Sequence, residues 1–425
     1  MEMIYQCCAG LDVHKRTVES AVRRMETDGR VHVQVRQFGT MTDDLREMVE
    51  WLKAHEVTHV AMESTGVFWK PIYNLLEDHF KVLLVNPRDF RQVPGRKTDV
   101  SDCQWLAQLL QYGLLRGSFI PARWQRDLRD LTRERTQLTE EHTRVANRIH
   151  KVLEDANIKL GSVATDILGV SGRDILQRLI HGEQDAENLA ERARGKLRGK
   201  IPELRRALRG NLLEHHRFEL QLHWDHLQQL EKLIKRLSQR ITEICQPYGE
   251  QMERLDQILG VDQTAAESIV AEVGVDMKVF PSDGALCSWA GMCSGNNESA
   301  GKRRSGRTPK GNRWLRRTLV LAAQAAGHAK DSFLASRFRR LAARRGKNRA
   351  CIAVGHSILK IIYHMLKEGT PYRDLGGSYF DRLDPERLTR YLVRRLERLG
   401  HKVTLDKLTL EATLDKLTLE AAANT

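Results

Sequence analysis

The feature that most constrains this chain is the way its hydrophobic period changes over the first 120 residues. Three apolar runs at hairpin spacing, Gln6 to Val13, Thr17 to Arg24 and Val31 to Phe38, precede a stretch from Thr42 to Ala54 with helical spacing. A short apolar run follows at His59 to Met62, then a helical run from Val67 to Asp78, a strand-like run from Lys81 to Asn86, and a helix opening near Thr98. Period two marks strands and period 3.6 marks helices, so this part is α/β: a sheet with helices laid against it. In such a core a charged side chain needs a reason.

Four acids invite that question. Asp12 lies inside the apolar run AGLDVHK, where a carboxylate is costly unless it binds a cation or finds a partner. Glu63 closes the run HVAMES, at the carboxyl edge where open α/β sheets place ligands. Asp99 and Asp102, three apart in KTDVSDCQWLAQLL, would project from one face of a helix. Each alone has an ordinary reading: Asp99 as a helix cap, Glu63 as a strand-end acid, Asp12 as a turn residue. As a set they occupy the strand, strand and helix positions that one metal cluster needs. Phosphodiester chemistry uses two divalent ions about 4 Å apart, and magnesium takes carboxylates and water.

The middle of the chain is helical. From Trp124 to Asn157, Leu128, Leu131, Leu138, Val145, Ile149 and Val152 form a narrow apolar stripe amid charge of both signs. After a Gly- and charge-rich connection, Leu204, Leu208, Leu212, Leu227, Leu230, Ile234, Leu237, Ile241 and Ile244 mark a second run, ended by Pro247. The two are expected to pair as a coiled coil, within one chain or between chains. Residues 255–274 read as helix, tight turn at Gly260, helix, a pattern suited to backbone contact with DNA phosphates. A second periodic helix, Trp314 to Ala326, should pack on its own domain. At the end, Thr404 to Ala412 (TLDKLTLEA) repeats at Thr413 to Ala421, too few copies to build a solenoid and with no expected catalytic part.

Charge separates these regions. Residues 1–120 hold 15 Lys and Arg against 16 Asp and Glu, whereas residues 300–350 hold 16 against the single acid Asp331. The formal excess of +14 is therefore concentrated in one segment, which would bind phosphates by counterion release. Its expected contacts are Lys302, Arg303, Arg304, Arg307, Lys310, Arg313, Arg316 and Arg317, with Trp314 as a stacking anchor. The same segment includes GNNESAGKRRSGRTPKG, which reads as a loop. Ser294, Ser299 and Ser305 are comparable candidates for a nucleophile there. The closely following Lys302, Arg303 and Arg304 favour Ser299, since cations stabilise charge developing on phosphorus.

Other classes recede. Seven scattered cysteines without C-x-x-C spacing indicate neither a disulfide framework nor a zinc site. No apolar stretch approaches the roughly 18 residues of a spanning helix, and the N-terminus lacks a signal pattern, so a cytoplasmic protein, nucleoid-associated when acting, is expected.

Taken together, GLDVHK at 10–15, ESTG at 63–66, VNP at 85–87, KTDxxD at 97–102, ILGVSG at 167–172, KIPEL at 200–204 and GNNESAGKRRSGRTPKGNRWLRR at 295–317 resemble a known family. It is the DEDD transposases of bacterial insertion sequences (the insertion sequence 110 family, in the branch with the longer helical insert). The family usually has Ala where Cys103 stands and Pro where Ser294 stands. The resemblance implies a RuvC-like, RNase H-like N-terminal domain with Asp12, Glu63, Asp99 and Asp102 as magnesium ligands. It further implies Ser299 as the residue attacking DNA to form a phosphoserine, guidance by an element-encoded bridge RNA, and half-sites contributed by different subunits of a homo-oligomer, a dimer or tetramer joined through the helical region.

The expected architecture is α/β plus α. An RNase H-like catalytic domain spans 1–120, a long helical, coiled-coil region 121–250, a basic C-terminal transposase domain with a helix-hairpin-helix-like segment 251–375, and a helical tail 376–425. The expected function is cleavage and rejoining of donor and target DNA. Its rivals are a junction-resolving nuclease that uses water as nucleophile and a non-catalytic nucleic-acid scaffold.

Overall fold

The computed structural model describes residues 3–26, 29–63, 66–86, 101–295, 297–299 and 302–406. The chain divides into two compact units, 1–122 and 123–425.

The first unit is built on one mixed sheet of five strands: β1 (Cys7–Val13), β2 (Thr17–Met25), β3 (Val31–Gly39), β4 (His59–Glu63) and β5 (Lys81–Val85). Their order is β3-β2-β1-β4-β5, antiparallel across the first three and parallel from β1 to β4 and β4 to β5. This arrangement is consistent with the expected RNase H-like domain. Helices α1 (Thr42–Ala54) and α2 (Trp69–Leu76) cover one face. There Leu45, Met48, Leu52, Ile72 and Leu76 bury against Ala9, Leu11, Val13, Val60 and Met62.

The other face receives α3 (Asp102–Gln111). Trp105, Leu106, Leu109 and Leu110 pack on Cys8, Ala61 and Val85, while Cys103 and Ala107 pack on Ala21. Gly10 allows this approach, because a Cβ there would stand 2.2 Å from the Cys103 carbonyl oxygen and 2.5 Å from the Ala107 nitrogen. Contacts that short are well inside van der Waals range, so a side chain at this position would push α3 off the sheet.

The second unit is helical. The stripe expected from Trp124 to Asn157 forms one helix, α4 (Arg123–Asp155). The connection that follows is more ordered than its Gly and charge content suggests. It contains α5 (Val170–Ile180), α6 (Ala186–Ala190) and α7 (Ile201–Ala207). Their Ile175, Leu176, Leu179, Leu189 and Leu204 join Val145, Ile149 and Val152 of α4 in one apolar core.

The run read as continuous from Leu204 to Ile244 is broken. α7 ends at Ala207 and α8 (Glu214–Cys245) begins seven residues later. At Gly210 a Cβ would lie 2.5 Å from the Ala156 carbonyl oxygen, and Asn211 donates its backbone N–H to that same oxygen. The chain therefore turns against the end of α4 before α8 starts. α8 then packs on α4 within the chain, with Leu220, Trp224, Leu227 and Leu230 in the shared core.

Beyond it lie α9 (Gly249–Asp256), α10 (Gln263–Val273), α11 (Asp283–Trp289), the hairpin β6 (Asn297–Ser299) and β7 (Lys302–Ser305), and helices α12 (Arg313–His328), α13 (Phe333–Arg345), α14 (Lys347–Glu368) and α15 (Pro385–Arg398). As the period indicated, Leu315, Leu319, Ala322 and Ala326 of α12 are buried. Most of the terminal nine-residue repeat lies outside the described residues, and no described helix is long and apolar enough to cross a membrane.

Candidate active site

Alternation along the strands decides where the acids point. Residues i and i+2 share a face, and Gly10 is under α3, so Asp12 lies on the α3 face of β1. Ala61 packs with α3 and places Glu63 on that face of β4. The parallel register Leu11↔Met62 puts Glu63 level with Asp12 on the next strand. Asp102 is the first residue of α3 and approaches from above. Asp99 lies outside the described residues, and the helix expected to open near Thr98 opens instead at Asp102, because Ser101 at its N-cap is extended; the two acids are therefore not placed on one helical face.

The electrostatics fit that gathering. Glu63 is only 5% exposed. Burial raises the pKa of Asp12 above its ordinary value; the nearby His14 opposes this, with Nε2 3.2 Å from Asp12 Oδ2, while the negative charges of Asp102 and Glu19 reinforce it. A half-buried carboxylate crowded by other carboxylates is stabilised by a hard cation, which takes oxygen ligands. Asp12, Glu63 and Asp102 are the described residues with the oxygen donors a divalent metal ion takes, although their ligand atoms do not come within 4.8 Å of one another as a group.

Sequence reading passed over Glu19. It lies on β2 directly across the ladder from Asp12, and two residues before Ala21, which packs with Cys103 and Ala107 of α3. The hairpin spacing was the available signal: pairing Val13 with Val18 sets Asp12 opposite Glu19.

A different group, Asp155, His215 and His216, brings its ligand atoms within 4.8 Å of one another. Both nitrogens of His216 are engaged, however. Nδ1 accepts the Leu213 backbone N–H at 3.2 Å and Nε2 donates to Asp155 at 3.0 Å. This arrangement holds the start of α8.

In the second unit Ser299 ends β6 of a short antiparallel hairpin, paired in register with Lys302, and Glu298 pairs with Arg303. The segment read as a loop therefore has strand pairing. Close glycine contacts pin its stem: a Cβ on Gly295 would lie 2.1 Å from the Arg307 carbonyl oxygen, and one on Gly311 2.3 Å from the Gly291 nitrogen.

Lys302, Arg307, Lys310 and Arg313 are exposed, and Arg304 lies in β7 with Lys302 and Arg303. Arg316 and Arg317 bond within the protein, Arg316 to Thr308 at 2.6 Å and Arg317 to Glu140 of α4. Trp314 is half-buried between the guanidinium groups of Arg313 and Arg133.

The helix–Gly–helix stretch forms as α9, Gly260 at φ 87° and α10. Gly260 faces α12, since a Cβ would meet the Ala322 carbonyl oxygen at 2.3 Å. The start of α10 is capped by its own Asp262 carboxylate, which accepts from Ala265 N–H. A negative charge already holds the position a phosphate would take.

Two family models match the chain: a DEDD-type IS110 transposase over residues 9–158 and the transposase IS116/IS110/IS902 family over residues 252–337, together more than half of its length. The chain belongs to the IS110 family of transposases. The first match contains the carboxylate row and the second contains the serine hairpin. Membership implies action on DNA and use of a divalent metal ion. No curated protein matches the chain.

Proposed function

We propose that this transposase is a recombinase that cuts and rejoins donor and target DNA, with magnesium held by Asp12, Glu63, Asp99 and Asp102 and with Ser299 as the nucleophile. A bridge RNA supplies the guide, and the working form is a homo-oligomer acting on the chromosome. The observation that carries this reading is the placement of Asp12 and Glu63 level on adjacent strands, on the face where α3 presents Asp102.

Bound magnesium would supply charge for the leaving and attacking oxygens. The chain's own residues supply the rest. Asp12 and Glu63, on rigid strands, fix the cation site, and the basic segment around Lys302 to Arg313 orients phosphates. In the covalent step the Ser299 hydroxyl gives up its proton and forms an Oγ–P bond as the bond from phosphorus to the leaving deoxyribose oxygen breaks. One phosphodiester is exchanged for another, so religation needs no external energy source. The exposed cations on and beyond β7 are suited to stabilising the added negative charge.

The test uses labelled element-end DNA incubated with magnesium and with RNA transcribed from the element's flank, and resolved on denaturing gels. Wild type is expected to give a slow-migrating protein–DNA adduct that Ser299→Ala lacks, and Asp12→Asn should lose cleavage altogether. Full strand cleavage by Ser299→Ala would instead establish water as the nucleophile. Unchanged DNA binding without cleavage by any form would favour the scaffold.

A further inference from the structure

The acids matched to the family leave Glu19 without a role. Its position is nevertheless specific. It is the cross-strand partner of Asp12, so Glu19, Asp12 and Glu63 form a row across the three adjacent strands β2, β1 and β4, on the face covered by α3.

A second observation ties β2 to α3 beside Glu19. The Cys103 side chain is fully buried and packs on Ala21, two residues along β2 from Glu19. Ser101 stands at the N-cap position of α3 but makes no side-chain cap; its hydroxyl lies 3.1 Å from Cys103 Sγ instead. A serine at an N-cap ordinarily spends its oxygen on the first turn. Here the hydroxyl is spent on Cys103, so the two residues that flank Asp102 are joined to each other, and Cys103 in turn packs on Ala21 of β2. The first turn of the helix is thereby tied to β2.

We propose that Glu19 is a positioning residue of the carboxylate site: through the Cys103 thiol it holds the first turn of α3, and with it Asp102, in register with Asp12, and it adds a fifth acid on the β2 side of the cation. This rests on the metal reading above. Partners that orient ligands in this way typically contribute tenfold or more to metal affinity. A carboxylate that serves only the folded core would leave metal affinity alone.

The experiment measures manganese(II) affinity of the full chain without DNA, by calorimetry and by the rise in melting temperature on adding manganese. The variants are Glu19→Gln, Glu19→Asp, Cys103→Ala, Cys103→Ser and Asp12→Asn. Glu19→Gln is expected to weaken manganese binding about tenfold or more while leaving the metal-free melting temperature level or higher, because one of several crowded negative charges is gone. Cys103→Ser, which retains a donor, should bind more tightly than Cys103→Ala, and Glu19→Asp should recover part of the loss.

If wild type binds manganese, Asp12→Asn abolishes it and Glu19→Gln binds as wild type does, the role of Glu19 is overturned and the metal site stands. If Glu19→Gln lowers only the metal-free melting temperature, Glu19 is a structural residue and the proposal fails. If wild type itself shows no manganese binding, the metal reading fails first.

Discussion

Asp12 shows how one residue can be tuned against the fold that carries it. Burial, with Asp102 and Glu19 nearby, raises its pKa above the free value of 3.8, and His14 only partly offsets this. The folded state thus holds the proton more tightly than the unfolded chain does. Its contribution to stability is complete below the unfolded pKa and is lost as pH rises through the folded one. Asparagine never ionises, so in EDTA the melting temperature of Asp12→Asn relative to wild type should climb as pH goes from about 4 towards 7. On the proposed metal site, divalent metal should reverse the order near neutrality, because it would bind the ionised carboxylate. A constant deficit for Asp12→Asn at every pH would contradict this account. The strand positions of Asp12 and Glu63 were legible in the sequence because a charge within or at the end of an apolar strand is conspicuous. Glu19 was not, because its meaning depends on the strand across the ladder.

Among the elements, α4 and α10 show what local patterning conveys and what it omits. The apolar stripe of α4 was visible as periodicity, but its polar attachment was not. Arg129 and Arg133 of α4 converge on Glu272 of α10, Arg133 by two bonds of 2.8 and 2.9 Å, and Glu272 also accepts from Asn312, the N-cap of α12. Close by, buried Arg135 pairs with buried Glu267 at 2.6 Å. Burial pulls the pKa of Arg129 down to about 10, with Glu272 holding it up. Without that carboxylate, Arg129 would be a buried charge with its main counter-ion gone.

Glu272→Ala is therefore expected to cost about 3–5 kcal/mol in denaturant unfolding. Glu272→Gln, which keeps acceptor oxygen, should cost less. A loss below 1 kcal/mol for the alanine variant would show that the network is slack. No periodicity announces such a lock, since it joins residues some 140 positions apart. The break at Gly210 escaped for a related reason: a leucine run continues across it, and only the meeting with Ala156 reveals the turn.

On the scale of the whole molecule, the uneven charge makes a claim about binding that the fold alone does not. The segment 300–350 carries 16 bases against one acid, and Lys302, Arg307, Lys310 and Arg313 are exposed in the described structure. Arg317, by contrast, is paired with Glu140, so a count of cations overstates the number available to phosphate. If six or more bases meet phosphates, affinity for nonspecific duplex should fall about a thousandfold or more between 50 and 200 mM salt. The double substitution Arg307→Ala with Lys310→Ala should then lower the slope of log affinity against log salt by about two. Arg317→Ala should leave the slope unchanged, because its guanidinium is already neutralised by a carboxylate. An equal reduction from Arg317→Ala would mean that the Glu140 pair opens on DNA. A slope unaffected by the double substitution would move the phosphate surface away from the hairpin. This measurement separates the electrostatic role of the second unit from the chemistry proposed for Ser299, since none of these substitutions touches the serine or the carboxylates.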